Sequence, residues 1–204
     1  MLFSDTYKTI TGPSEGIFRD RGSKFIGLAY PIRTEEETRE IVSRIRSEHP
    51  KARHFCTAFR LTPDRSVFRV NDDGEPSGSA GKPILNTILS ADLTNILVVV
   101  VRYFGGTLLG VPGLINAYKT ATAEALQAAT VVEKTVNDIY RLRFEYLQMN
   151  DVMKIIKDEH LQIIRQEFDN QCLVEVEIRQ AQVNGVVAKL EKVPNLNADY
   201  LFTL

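Results

Sequence analysis

The sequence predicts an α+β protein of two domains, and three observations lead to that class. Six apolar residues follow one another from Ile96 to Val101, which predicts a central strand buried on both faces. Helical apolar stripes alternate with strand patterns through the first part of the chain. The last part has the order strand, helix, strand, strand, helix, strand, which is that of the ferredoxin-like βαββαβ fold. We therefore expect domains of residues 1–134 and 135–204.

The first domain begins with two predicted strands, Thr6–Ile10 and Lys24–Ile32, separated by turn signals at Gly12 and Gly22. Thr34 is the predicted N-cap of a helix because Glu37, three residues later, completes a capping box. The next predicted elements are two strands joined as a hairpin, a short helix, the apolar strand and a long helix: Arg53–Leu61 with Ser66–Val70, Lys82–Leu89, Asn95–Tyr103 and Leu114–Ala129.

The second domain is predicted from shorter patterns that alternate between the strand period and the helix period. Its predicted strands are Tyr140–Leu147, Leu161–Phe168, Cys172–Ile178 and Tyr200–Leu204. Its predicted helices are Asp151–His160 and a segment marked by Val183, Val186, Val187 and Leu190. In the ferredoxin-like arrangement both helices pack on one face of a four-stranded antiparallel sheet.

Composition excludes several classes of protein. A chain with 44% hydrophobic and 25% charged residues falls in the range of globular proteins and outside that of disordered ones. No apolar run approaches the roughly 20 residues of a membrane-spanning helix, and the first residues do not resemble a signal peptide. The two cysteines form no CxxC pair, which favours reduced thiols, so we expect a cytoplasmic protein. A net charge of −1 excludes a global basic field but not a local basic patch.

Two loops contain the most informative residues, Asn71–Pro83 and Arg102–Gly113. Each follows a predicted strand and precedes a predicted helix, where free backbone N–H groups suit an anion such as phosphate. The glycine spacing of the second loop matches neither a dinucleotide fingerprint nor a phosphate-binding P-loop. Two interpretations stay open: an anion or RNA contact centred on Arg102 and Tyr103, or glycines that only allow a tight turn.

The first loop is acidic, with Asp72, Asp73 and Glu75 close together. These carboxylates are of the type that holds a hard cation. We expect instead a turn in which a carboxylate orders Arg102 or Lys82, and no metal.

Three stretches together resemble the signature of the IMPACT family, and closely that of its bacterial members of the YigZ type. They begin at Arg53 (RHFCTA), at Asn71 (NDDGEPSGSAGKP) and at Val100 (VVRYFGGTLLGVPGLINAY). The resemblance runs through about residues 15–130. It implies a first domain like the second domain of a small-subunit ribosomal protein and domain four of elongation factor G, and a second domain like domain five of that factor. Eukaryotic relatives bind the activator of an initiation-factor kinase, which implies a context in translation.

We therefore predict a protein that binds RNA or the ribosome and modulates translation, without catalysis and without a cofactor. The predicted contacts to nucleic acid or another anion are Arg53, His54, Lys82, Arg102, Tyr103, Gly105, Gly106 and Lys119. The acidic residues Asp72, Asp73 and Glu75 would support the basic side chains. One alternative is a metal-dependent hydrolase that uses these three carboxylates, and another is an adaptor that binds a partner protein.

Overall fold

The computed structural model describes residues 5–169 and 171–204, which fold into two compact units. The N-terminal unit is Tyr7–Lys134, and the C-terminal unit is Thr135–Leu204 together with residues 5 and 6. Within the described part of the chain, no helix is both long enough and apolar enough to cross a membrane.

The N-terminal unit is organised around a five-stranded sheet. The strands up to residue 135 are β1 (Thr6–Ile10), β2 (Ser14–Asp20), β3 (Ser23–Pro31), β4 (His54–Leu61), β5 (Val67–Asn71), β6 (Ile96–Tyr103) and β7 (Val131–Thr135). The helices are α1 (Glu35–Glu48), α2 (Gly81–Ser90) and α3 (Gly110–Gln127). The sheet order is β2-β3-β6-β4-β5 with every neighbouring pair antiparallel, while β1 pairs with β7 separately.

Helices cover both faces of this sheet. Ile45 of α1 packs into one apolar core with Leu97 and Val99 of β6, whereas α2 and α3 form a second core with Val98 and Val100. All six residues from Ile96 to Val101 are fully buried. An antiparallel sheet commonly leaves one face in water, but here the three helices bury both faces, which explains the uninterrupted apolar run. The prediction of a central, doubly covered strand is confirmed.

Two glycines allow α3 to lie directly against the sheet. A Cβ atom at Gly27 of β3 would be 2.3 Å from the carbonyl oxygen of Ala121, and one at Gly16 of β2 would be 2.3 Å from the backbone nitrogen of Ala125. Ala121 and Ala125 add only methyl groups on the helix side. The close packing of helix and sheet therefore depends on the absence of side chains at these two strand positions.

The C-terminal unit has the strands β8 (Asn137–Phe144), β9 (Gln162–Phe168), β10 (Cys172–Arg179) and β11 (Asn197–Thr203), with the helices α4 (Met149–Asp158) and α5 (Val183–Leu190). The antiparallel sheet has the order β11-β8-β10-β9. Val152 of α4 and Val186 of α5 share one core with Leu142 and Val174 of the sheet, so both helices lie on the same face. The opposite face carries charged pairs such as Arg141 with Glu175.

The structure differs from the predicted elements in several places, one of which is strand β7, for which no strand was predicted. The edge strand β2 was not predicted, because Ser14–Asp20 has only two large apolar residues. Helix α3 begins at Gly110 rather than Leu114, since Pro112 is tolerated in the first turn of a helix. Strand β8 ends at Phe144 rather than Leu147, because Glu145 is the N-cap of a short 3-10 turn.

The close approach of α3 to the sheet gives the first prediction. Gly27→Ala should lower the free energy of unfolding by about 3 kcal/mol, because the new methyl group meets backbone atoms that cannot move aside. Urea unfolding followed by circular dichroism measures this. Gly12→Ala is the matched control, since no atom lies within 4 Å of its added Cβ, and it should change stability by less than about 0.5 kcal/mol. Equal effects of the two substitutions would contradict the packing described here.

Candidate functional site

A buried ion pair joins the two loops that the sequence analysis singled out. Arg102, near the end of β6, donates from Nη1 to Oε1 of Glu75 at 2.5 Å. The hydroxyl group of Tyr118, on α3, donates to the same carboxylate oxygen at 2.8 Å. All three side chains are buried. Glu75 therefore connects its loop to the sheet through Arg102 and to the long helix through Tyr118.

Aromatic rings enclose the guanidinium group of Arg102. Its Cζ lies 5.4 Å from the ring centroid of Phe25 and 5.6 Å from that of Phe104, distances typical of cation–π contacts. Its Nε is buried and has no hydrogen-bond partner among the described residues. The side chain of Arg102 is only 6% exposed, so a phosphate contact by this residue would require the guanidinium to leave Glu75.

Asp72 caps helix α2 from within the chain. Its carboxylate accepts hydrogen bonds from the backbone N–H groups of Gly78 at 2.8 Å, Ala80 at 3.1 Å and Gly81 at 2.8 Å. These donors belong to the helix N-terminus and the turn before it, a place that favours an anion. The side chain of Asp72 therefore occupies the position that a bound phosphate would take at α2.

Asp73 fastens the same loop to β4 and α1. Its carboxylate accepts from Nη2 of Arg46 and from the backbone N–H of Phe55, both at 2.6 Å. His54 donates from Nδ1 to the backbone carbonyl of Asp73 at 2.8 Å, and its Nε2 lies 3.9 Å from Glu75. One hydrogen bond therefore holds the His54 ring to the loop, with its other nitrogen facing Glu75.

Cys56 lies beneath the loop and is completely buried. Its Sγ is 3.0 Å from the carbonyl oxygen of Asp72 and 3.3 Å from the hydroxyl of Tyr118. Burial raises the pKa of the Cys56 thiol far above its usual range, and the neighbouring carboxylates raise it further. Burial also raises the pKa of Tyr118. The thiol therefore stays protonated at neutral pH and lacks the thiolate that a nucleophile needs.

Lys82 and Lys119 share one groove between α2 and α3. This groove, which we call the lysine groove, has a volume of about 520 Å³. Its other lining residues are Gly78, Pro83, Asn86, Thr87, Ser90 and Ile115. Both lysines are exposed, and neither has an ion-pair partner within residues 5–169 and 171–204. Among the described residues no carboxylate lines the groove, so the charge of its lining is positive.

Other predicted contacts lie elsewhere in the unit. Arg53 is exposed and its backbone N–H donates to the carbonyl of Arg102 at 2.9 Å. The hydroxyl of Tyr103 is 2.8 Å from Nδ1 of His49, at the end of α1. The structure thus brings Lys82 together with Lys119, while Arg102, His54 and Tyr103 are held by protein partners.

The two predicted glycines have positions that a larger residue could not adopt without strain. A Cβ atom at Gly105 would lie 1.9 Å from the backbone carbon of Gly22, so this loop packs directly on the turn between β2 and β3. The backbone N–H of Gly105 also donates to Oγ of Ser23 at 3.1 Å. Gly106 has a φ of +88°, in the left-handed region. These contacts favour the interpretation in which the glycines shape the turn.

The sequence analysis did not assign Tyr118 and Arg46 to the site. Tyr118 is the one aromatic residue on the buried face of α3, whose other residues are alanine, leucine and threonine, and a buried phenol needs a hydrogen-bond partner. A single aromatic residue on this face could therefore have indicated that Tyr118 belongs to the site. Arg46 lies on an exposed, charged stretch of α1 and carried no such signal.

The carboxylates of the acidic loop point to different partners. Asp72 binds the start of α2, Asp73 binds Arg46 and β4, and Glu75 binds Arg102 and Tyr118. Among residues 5–169 and 171–204, no group of three His, Cys, Asp or Glu side chains is arranged to hold a metal ion.

Comparison with known proteins gives three similarities and a family match. The Impact N-terminal domain matches residues 21–126. "IMPACT family member YigZ" of Escherichia coli (strain K12) is 36% identical over 170 residues, covering 82% of this chain and 83% of that protein. "Protein IMPACT homolog" of Saccharomyces cerevisiae is 30% identical over 112 residues, covering 53% of this chain and 43% of that protein. A crystal structure described as that of a hypothetical protein has a TM-score of 0.74 and 30% identity, covering 98% of this chain and 99% of that one.

The buried ion pair gives the second prediction. Glu75→Gln should lower the free energy of unfolding by about 3 to 5 kcal/mol, because it leaves the buried guanidinium of Arg102 without a charge partner. Urea unfolding is the measurement. Glu167→Gln removes the carboxylate of an exposed pair with Arg165, and as the control it should cost less than about 1 kcal/mol. A cost for Glu75→Gln as small as that of the control would contradict the structural role of the pair.

The buried thiol gives the third prediction. A thiol-reactive disulfide reagent at pH 8 should leave the native chain unlabelled, because Cys56 and Cys172 are both buried and burial raises the pKa of each thiol. Both cysteines should react once urea unfolds the chain. Ser77→Cys supplies an exposed thiol in the acidic loop as a positive control and should react at once. Rapid labelling of Cys56 in the folded protein would show that its thiol is accessible and activated.

Proposed function

Because this chain belongs to the IMPACT family, as a member of its YigZ type, we propose that it regulates translation by binding RNA or the ribosome. The binding surface in this proposal is the lysine groove of the N-terminal unit. The single observation that supports it is the pairing of Lys82 and Lys119 in one groove that contains no carboxylate. The role in translation rests on the family resemblance, since eukaryotic relatives act through the activator of an initiation-factor kinase.

The chemistry of the groove suits a phosphate backbone. A lysine ammonium is a compact point charge with three donors and binds phosphates without reading sequence. Neither ammonium group has a carboxylate partner in the described part of the chain, so no ion pair seen there has to break before a phosphate binds. Asn86 adds an exposed amide to the same groove. Contacts of this kind supply affinity that falls as the salt concentration rises.

We also propose the finer domain assignments that the resemblance implies. Residues 1–134 would form a domain like the second domain of a small-subunit ribosomal protein and domain four of elongation factor G. Residues 135–204 would form a ferredoxin-like domain similar to domain five of that factor. The order β11-β8-β10-β9, with both helices on one face, supports the second assignment. A cytoplasmic location belongs to the same proposal.

No observation favours the hydrolase, or an adaptor that binds its partner through the sheet of the C-terminal unit. A metal-dependent hydrolase would need Asp72, Asp73 and Glu75 to converge, whereas each of them is bound to a different part of the protein. An adaptor that uses the open face of the second sheet would bind through side chains that already pair with each other, as Arg143 does with Asp199.

The fourth prediction tests the lysine groove. Lys82→Ala/Lys119→Ala should weaken co-sedimentation of the full chain with ribosomes at low salt, because two phosphate contacts are lost. The slope of log affinity against log salt concentration should become shallower by about 0.7 to 0.9 for each lysine removed. Sedimentation across a salt series, with the protein quantified in pellet and supernatant, measures both quantities.

The matched control removes the same charge from another surface of the unit. Lys8 and Lys51 are exposed and lie outside the groove, so Lys8→Ala/Lys51→Ala should sediment with ribosomes as the unchanged chain does. If both double variants lose binding equally, the interaction follows net charge rather than the groove. If the unchanged chain does not sediment with ribosomes or bind RNA at any salt concentration, the proposed function is wrong.

A further inference from the structure

The two edges of the five-stranded sheet are protected very differently. The strand at one edge, β2, contains Glu15, Arg19 and Asp20, and it packs beneath α3. The strand at the other edge, β5, has Arg69 as its one charged residue. Within the described residues, β5 pairs with β4 on one side and with no strand on the other.

Strand β5 exposes apolar side chains along its length. All five of its residues are exposed, and Phe68 is 59%, Val67 41% and Val70 41% accessible. Proteins usually protect such an edge with charges, proline or a covering element, because free backbone N–H and C=O groups invite pairing with another strand. An unprotected apolar edge is the surface that binds an extended peptide by strand addition.

An apolar cavity lies beside this edge, between α1 and the hairpin of β4 and β5. It has a volume of about 220 Å³, and its apolar lining includes Val42, Phe55 and Phe59. Thr38 of α1 also lines it, and the Oγ1 of Thr38 is buried with no hydrogen-bond partner among the residues that the structure describes. A cavity at an open strand edge offers a pocket for a side chain of an added strand, and the unpaired hydroxyl offers it a polar contact.

The charged residues around the cavity indicate which charge a bound segment would carry. Arg39, Arg69 and Glu35 line it, and Arg69 forms an ion pair with Glu35. Arg39 is exposed and has no ion-pair partner in the described part of the chain. A segment that carries an acidic residue next to its apolar one would therefore complement this rim.

A second copy of this chain fits the edge less well. In the antiparallel self-pairing that joins the most residues of β5, Arg69 would lie opposite Arg69 of the other copy. Like charges directly opposite each other destabilise a strand pair. An acidic segment of another protein avoids that repulsion.

We propose that β5 binds an extended, acidic segment of a partner protein as a sixth strand of the sheet. One apolar side chain of the segment enters the cavity beside β5, and a carboxylate next to it pairs with Arg39. This surface lies on α1 and the edge of the sheet, whereas the lysine groove lies between α2 and α3. The inference goes beyond the proposed function and does not depend on it.

A fluorescent peptide of about ten residues, with leucine and valine alternating with glutamate, is the probe. Anisotropy titration with the full chain should give saturable binding, and hydrogen exchange should slow at residues 67–71. Phe68→Glu should weaken binding about tenfold or more, because it adds a repelling charge to the edge. Ile17→Glu makes the same change on the β2 edge at similar exposure, 46%, and should leave binding unchanged.

Two further variants test whether peptide binding depends on the cavity beside β5 and not on the lysine groove. Thr38→Phe, which fills the cavity, should weaken binding of the peptide about as much as Phe68→Glu does. Lys82→Ala/Lys119→Ala should bind the peptide like the unchanged chain whatever its effect on ribosome binding. Circular dichroism and thermal unfolding establish that each variant is folded.

Several results would overturn the inference. One is an absence of binding up to about 1 mM peptide. Another is that Ile17→Glu weakens peptide binding as much as Phe68→Glu does. Equal binding of a peptide with lysine in place of glutamate would remove the acidic preference. A dimer in sedimentation velocity that Phe68→Glu abolishes would assign the β5 edge to a second copy of the chain instead.

Discussion

The ion pair between Glu75 and Arg102 is the contact on which the rest of the N-terminal site depends. Both groups are buried, and a buried charge is stable only when it is paired and hydrogen-bonded. This pair holds the acidic loop against the sheet, and Tyr118 adds a second hydrogen bond to the carboxylate. Asp72 of the same loop caps the start of α2, and Cys56 lies beneath the loop. The resulting network fixes the first turn of α2, from which Lys82 extends.

The charged motifs of this chain therefore have a mainly structural role. Residues of the types that bind phosphate or metal, such as Arg102 and Asp72, are bound here to other parts of the same chain. They define the shape of the loops, and the charges left for a ligand are those without internal partners. In the N-terminal unit these include Lys82 and Lys119 in one groove and Arg39 on the other side of the sheet. The motif is thus mainly a scaffold, and the two proposals assign ligand binding to the residues around it.

Periodicity and capping signals were sufficient to predict most of the elements. The capping box of Thr34 and Glu37, the hairpin of β4 and β5 and the buried strand β6 are all present. The edge strand β2 was missed because an edge needs few apolar residues. The sequence analysis expected a carboxylate of the acidic loop to order Arg102 or Lys82, but it could not predict that Arg102 is buried with Glu75, because nothing local distinguishes a buried arginine from an exposed one. The pairing of Lys82 with Lys119 likewise depends on how α2 packs beside α3.

A double-mutant cycle between Glu75 and Arg102, measured by urea unfolding, tests the central claim most directly. Glu75→Gln and Arg102→Met each leave one buried polar or charged group without its partner, while the double variant removes both charges. The account predicts that the double variant loses much less stability than the two single losses added together, with a coupling of at least about 2 kcal/mol. Losses that add to within about 0.5 kcal/mol would contradict it. The two loops would then be held by something other than this pair.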